Sequence, residues 1–134
     1  MDPAIDVQAK LEAHGVNPTP QRLEIGALLL RQPVHLSADQ ILQQLRAAGS
    51  AVSKATVYNT LRLFTAHGLV REVAVDPGRA IYDSTTVPHH HFYNADTGEL
   101  TDIDAGAVGL PGIPSLPAGT RAESVEVIVR LRSR

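Results

Sequence analysis

Apolar positions recur at helical spacing through the first half of the chain and at strand spacing near its end. Ala4, Val7 and Leu11 outline a short amphipathic helix that Gly15 closes ahead of Asn17-Pro18. Thr19-Pro20, a capping residue followed by proline at the first helical position, opens a second helix through the apolar run from Leu23 to Leu30. Ser37-Ala38-Asp39-Gln40 has the form of a capping box, and Ala38, Ile41, Leu42 and Leu45 then give a third helix one buried face before Gly49. Ser53 can cap a fourth helix, with Val57, Leu61 and Phe64 as its buried stripe and His67-Gly68 as its end.

Two β-rich stretches, Leu69 to Val75 and Arg79 to Asp83, flank the turn residues Asp76-Pro77-Gly78. Helices followed by a hairpin predict an α+β chain that opens with a winged helix-turn-helix domain over residues 1–84. Thr85-Thr86-Val87-Pro88 reads as a hinge into a small C-terminal α/β domain over 85–134. There, His89 to Asn94 and Glu99 to Ile103 are expected strands around Asp96-Thr97-Gly98. Residues 105–120 are rich in Gly and Pro, so any helix there is short or broken by Pro111, Pro114 and Pro117. Val125, Val127, Val129 and Leu131 alternate with Glu126, Ile128, Arg130 and Arg132, which predicts a half-buried strand suited to a dimer interface.

Composition narrows the class. The chain has 134 residues, 43% of them hydrophobic, and no apolar run near the roughly 18 residues that span a bilayer. A soluble protein that self-associates is expected, without a membrane partner. The start MDPAIDVQAK lacks the basic and apolar segments of a secretory signal, and there is no cysteine, so a cytoplasmic setting is expected. A formal charge of −2 does not announce a nucleic-acid binder. Residues 1–84 carry eight Lys/Arg and eight Asp/Glu, whereas residues 85–134 carry four and six, so the acidic excess lies in the second half.

The second helix of a helix-turn-helix enters the major groove and exposes polar or aromatic side chains near its start. Thr56, Tyr58, Asn59 and Arg62 lie off the Val57/Leu61/Phe64 stripe and can face DNA. Ser53 and Lys54 at the helix start suit phosphate contacts, and Arg22, Arg71 and Arg79 can add others. Periodicity alone leaves two readings open: a DNA-reading face, or the solvated face of some other small domain. The second notable feature is His89-His90-His91. On an extended segment His89 and His91 share a face and can ligate one ion, while His90 points the other way; a solvated polar loop is the alternative.

The run Ser53-Lys54-Ala55-Thr56-Val57-Tyr58-Asn59-Thr60-Leu61, with Leu69-Val70 after it and Pro18 to Arg22 before it, resembles the recognition-helix signature of the ferric uptake regulator (Fur) superfamily. The similarity extends over nearly the whole chain. It implies a dimeric DNA-binding regulator of iron homeostasis acting on an A·T-rich palindromic operator, with 85–134 as the dimerisation and sensing domain. It also implies a regulatory metal site. His35, Asp83, His89 and His91 stand at the matching places, and Asp102 at a position where some relatives place a further carboxylate. Imidazole and carboxylate ligands without thiolate suit Fe(II), Mn(II) or Zn(II).

Two departures are visible. Asn94 and Thr97 stand where relatives carry the first Cys pair of a structural zinc site, so no structural Cys-zinc is expected. Pro88 and Gly109 fall at or near ligand positions of a second family site, leaving only His90. Within the superfamily, Tyr58-Asn59-Thr60-Leu61, Phe64-Thr65, His89-His90-His91-Phe92 and Asp96-Thr97-Gly98-Glu99-Leu100 look most like the iron response regulator (Irr) branch. That resemblance implies haem as an effector, with His89, His90 and His91 as the contact segment. The alternatives are a classical Fe(II)- or Mn(II)-activated repressor and a peroxide-sensing repressor. A metal-dependent hydrolase is a remote one, since H-E-x-x-H is absent and no enzyme is expected.

Overall fold

The computed structural model describes residues 3–87, 89–109 and 112–134. Pro88 of the expected hinge and Pro111 of the Gly/Pro stretch lie outside the described residues. The chain divides into two compact units between Thr86 and Val87.

The first unit runs α1 (Pro3–Ala13), α2 (Pro20–Leu30), β1 (His35–Ser37), α3 (Ala38–Ala47), α4 (Lys54–Ala66), β2 (Arg71–Asp76) and β3 (Arg79–Asp83). Each helix from α2 onward begins at a side-chain cap. Thr19 Oγ1 accepts from Arg22 N–H, Ser37 and Gln40 exchange both bonds of a capping box, and Ser53 Oγ accepts from Thr56 N–H. Val7 and Leu11 of α1 are buried; the side chain of Ala4 is outside the described set. Gly15, at φ +77°, ends α1 in the left-handed region, with Val16 N–H returning to Leu11 O at 2.9 Å. Gly26 lets α2 approach α1 closely, because a Cβ there would lie 2.9 Å from Val7 Cγ1. The predicted stripes meet in one core: Ile25 and Leu29 from α2, Ile41 and Leu45 from α3, and Val57, Leu61 and Phe64 from α4.

β2 and β3 form the expected hairpin, with Gly78 at φ +73° in its turn. A feature not anticipated from the sequence is β1, which pairs antiparallel with β3 to give the sheet order β1-β3-β2. Three residues are too short for periodicity to register; the strand exists because β3 offers it a free edge. Ser84 Oγ secures the join, accepting from Val34 N–H at 3.0 Å. Three core helices followed by a hairpin are the order of a winged helix.

The second unit contains β4 (His90–Asn94), β5 (Leu100–Ile103), a single 3₁₀ turn (Ala105–Ala107) and β6 (Ile128–Leu131). β4 is central, antiparallel to β5 and parallel to β6. No α-helix occurs among the described residues of the Gly/Pro-rich stretch. The last strand is shorter than the alternation from Val125 predicts. Val125, Val129 and Leu131 also stay exposed, because little of the same chain covers that side. The turn between β4 and β5 is closed by Asn94, whose Oδ1 accepts from Asp96 N–H at 2.9 Å and Thr97 N–H at 3.1 Å. Asn94 and Thr97 thus close a hydrogen-bonded turn at the positions where the family resemblance places two cysteines.

Candidate functional site

The outward side of α4 carries exposed Ser53, Lys54, Tyr58, Asn59 and Arg62, with Thr56 half-buried. The Val57/Leu61/Phe64 stripe buries the opposite side and so directs these residues outward. Ser53 Oγ donates to Thr56 Oγ1 at 2.9 Å, and Lys54 Nζ sits 5.8 Å from the Tyr58 ring centroid. Arg62 Nη1 reaches Asn59 Oδ1 at 3.5 Å.

Two grooves flank this face. Arg22, Thr56 and Asn59 share one of about 440 Å³ at the starts of α2 and α4; Arg22 Nη1 donates to Asn17 O at 3.1 Å. Tyr58 and Arg62 open onto the other, about 720 Å³, with Arg79, Glu72 and Tyr82 from the hairpin. Tyr82 is a groove residue the sequence did not single out, since its place in β3 looks like ordinary strand alternation. Burial, then the Glu72 carboxylate and Tyr58, push its phenol above the ordinary value, while Arg62 pulls the other way, so it stays a neutral donor and acceptor at working pH. Arg71 pairs across the sheet with Asp83 in register.

Both units carry metal-type ligands. In the first unit, β1 places His35 directly opposite Asp83. His35 Nε2 lies 3.4 Å from Asp83 Oδ2, and Asp83 Oδ1 accepts from Thr85 N–H at 2.8 Å. Asp83 is fully buried, and a carboxylate so placed needs such partners.

In the second unit, His89, His91 and Asp102 have ligand atoms within 4.8 Å of one another. His89 Nε2 is 3.1 Å, and His91 Nε2 3.5 Å, from the same Asp102 oxygen, Oδ1. The β4–β5 register sets this by pairing His91 with Asp102. The other nitrogen of each ring lies near an oxygen: His89 Nδ1 is at hydrogen-bond distance, 2.6 Å, from Val87 O, and His91 Nδ1 is 3.2 Å from the Glu126 carboxylate oxygen Oε1. When a neutral ring carries its single proton on Nδ1, the Nε2 lone pair is left to ligate. Both Nε2 lone pairs then converge on a carboxylate oxygen, an arrangement that favours a cation between them. The donor set fits a divalent first-row metal. His90 does not join it; its Nδ1 accepts from Val127 N–H at 2.9 Å on the other side of the strand.

The profile of the ferric uptake regulator family matches residues 13–109. This chain belongs to that family. It is 35% identical over 95 residues to the peroxide-responsive repressor PerR of Staphylococcus aureus, a match covering 71% of this chain and 64% of the repressor, so it spans less than two thirds of that relative. The ferric uptake regulator of Vibrio cholerae shares the fold, with a TM-score of 0.73 at 22% identity over 94% of this chain and 98% of that one. A Pseudomonas aeruginosa ferric uptake regulator structure with manganese gives a TM-score of 0.67 at 25% identity, covering 95% and 97% respectively. Within the ferric uptake regulator family frame, Glu126 is a residue the sequence did not single out. Its sole signal was one more acid in an alternating stretch, and the parallel pairing of β6 with β4 is what brings it to His91.

Proposed function

We propose that this family member is a homodimeric, metal-responsive transcriptional regulator that reads DNA in the cytoplasm through α4. Ser53, Lys54, Thr56, Tyr58, Asn59 and Arg62, with Arg22 from α2, are assigned to the DNA. Following the family resemblance, His35, Asp83, His89, His91 and Asp102 are assigned as ligands of a divalent metal, Fe(II), Mn(II) or Zn(II). The observation that carries this reading is the convergence of two imidazole Nε2 atoms on one Asp102 oxygen. A manganese-bearing relative of the same fold supports it.

Bound there, the ion supplies positive charge that draws carboxylates and neutral imidazoles together. The chain's own residues do the rest. Nδ1 contacts hold the His89 and His91 rings in ligating orientation, and β1 holds His35 against Asp83. An ion that binds one arrangement of these ligands better than others favours it by that differential affinity, and so favours the DNA-competent dimer. Phe92, Val129 and Leu131 are exposed apolar side chains on β4 and the outer strand β6, a surface suited to the second copy.

The test is fluorescence anisotropy on an A·T-rich palindromic duplex at fixed salt, comparing apo protein, Mn(II) and haemin. Binding that requires Mn(II), and is lost in a His89→Ala/His91→Ala variant, is the expected result; binding indifferent to every effector would overturn the sensing assignment. Binding lost on adding haemin would assign the chain to the haem-responsive branch, with His89, His90 and His91 as its contact segment. The relative named for peroxide response makes peroxide treatment of the Fe(II) form the natural companion measurement.

A further inference from the structure

Glu126 lies two residues before β6, and its Oε1 is 3.2 Å from Nδ1 of His91, a fully buried ring. Backbone pairing fixes its place. His91 N–H donates to Val127 O at 3.1 Å, and Val127 N–H donates to His90 Nδ1 at 2.9 Å. The carboxylate is therefore delivered by the same strand pairing that carries the ligand, which limits the conformational freedom it loses on meeting the ring.

A neutral imidazole carries one N–H. Carboxylates stand at both nitrogens of His91, Glu126 at Nδ1 and Asp102 Oδ1 3.5 Å from Nε2, so a cation that takes the Nε2 lone pair requires the proton on Nδ1, beside Glu126. His89 reaches the same state with a neutral acceptor, the Val87 carbonyl. The two ligands thus differ: a full negative charge behind His91 makes its Nε2 the stronger donor to a cation, and a carbonyl behind His89 adds orientation with less charge.

We propose that Glu126 is a positioning residue for His91, holding the ring in its Nδ1–H tautomer and strengthening Nε2 as a ligand for a divalent ion. The proposal rests on the reading of His91 as a metal ligand. Because Val127, between Glu126 and β6, pairs with the His91 backbone, ion binding at His91 and the docking of β6 on β4 reinforce one another.

The experiment uses the full chain and two readouts. Two-bond ¹H–¹⁵N correlation spectra of the ¹⁵N-labelled apo protein report the His91 tautomer, and calorimetric titration with Mn(II) reports affinity. The native protein is expected to show Nδ1–H at His91. Glu126→Ala is expected to shift the ring toward Nε2–H and to weaken Mn(II) binding by roughly 10–100-fold. Glu126→Gln keeps an acceptor oxygen without the charge, so it is expected to retain the tautomer and lose part of the affinity; it also carries the test should the alanine variant fail to fold. An unaltered tautomer and unaltered affinity in Glu126→Ala would overturn the proposal. Should His91→Ala leave Mn(II) affinity unchanged, the metal-ligand reading itself fails, and with it the affinity half of this inference. The apo spectra then still decide whether Glu126 sets the tautomer.

Discussion

Between Val7 and Phe64 the first unit buries a continuous set of aliphatic and aromatic side chains, whereas the described part of the second buries Tyr93 and Leu100 beside His89, His90 and His91. Apolar burial stabilises without needing a matched partner. A buried imidazole costs free energy unless both nitrogens are satisfied. The first unit therefore rests mainly on packing, with Asp83 held by His35 and Thr85 N–H as its buried charge, while the second depends on what its histidines meet: Val87 O, Val127 N–H, Glu126, Asp102 and, by the proposal above, a metal ion. The exposed Ile113, Leu116, Val125, Val129 and Leu131 repeat the point, since this unit leaves much of its apolar surface uncovered.

The contrast can be broken most strongly in the first unit. Phe64→Ala, at a side chain with no exposure, is expected to cost about 3–5 kcal/mol in urea unfolding followed by helical circular dichroism. A loss within the ordinary scatter of surface substitutions would mean that α4 is not held by its apolar stripe.

A smaller and more localised effect is expected from metal. Mn(II) at about a hundred times its dissociation constant should add about 2.7 kcal/mol, and amide hydrogen exchange should slow chiefly across the ligand-bearing strands β1, β3, β4 and β5. Uniform slowing through α2, α3 and α4 would dissolve the difference between the units, and persistence of the effect in His89→Ala/His91→Ala would remove the ion from this site.

The smallest effect concerns the clasp between Asp96 and the end of the chain. Arg132 Nη1 donates to Asp96 Oδ1 at 2.8 Å and Ser133 N–H to Oδ2 at 2.7 Å, which together hold the Asp96 carboxyl below the ordinary carboxylate range. With the folded value depressed, the contribution is present above the unfolded value of about 3.9 and is lost as pH falls through the folded one. NMR titration should show the Asp96 midpoint moving up toward the ordinary value in Arg132→Ala; an unmoved midpoint would mean the clasp is not populated in solution.

The helices and their caps were legible in the residues themselves because each depends on neighbours three or four positions away: Thr19 with Arg22, Ser37 with Gln40, Ser53 with Thr56. The hairpin about Gly78 was legible for the same reason, as was the shared face of His89 and His91, which follows from strand alternation. The lack of cysteine is likewise written in the chain.

Other features depend on pairing between distant segments, and no local pattern encodes that. β1 has no signal of its own and exists only against β3, yet it is what sets His35 opposite Asp83 across 48 positions of sequence. Tyr82 enters the groove beside Tyr58 and Arg62 only once the hairpin meets α4. Glu126 reaches His91 only because β6 runs parallel to β4, and a parallel pairing joins residues whose separation along the chain gives no hint of their contact. Short-range hydrogen bonding determined the elements; long-range strand register decided which side chains share a site.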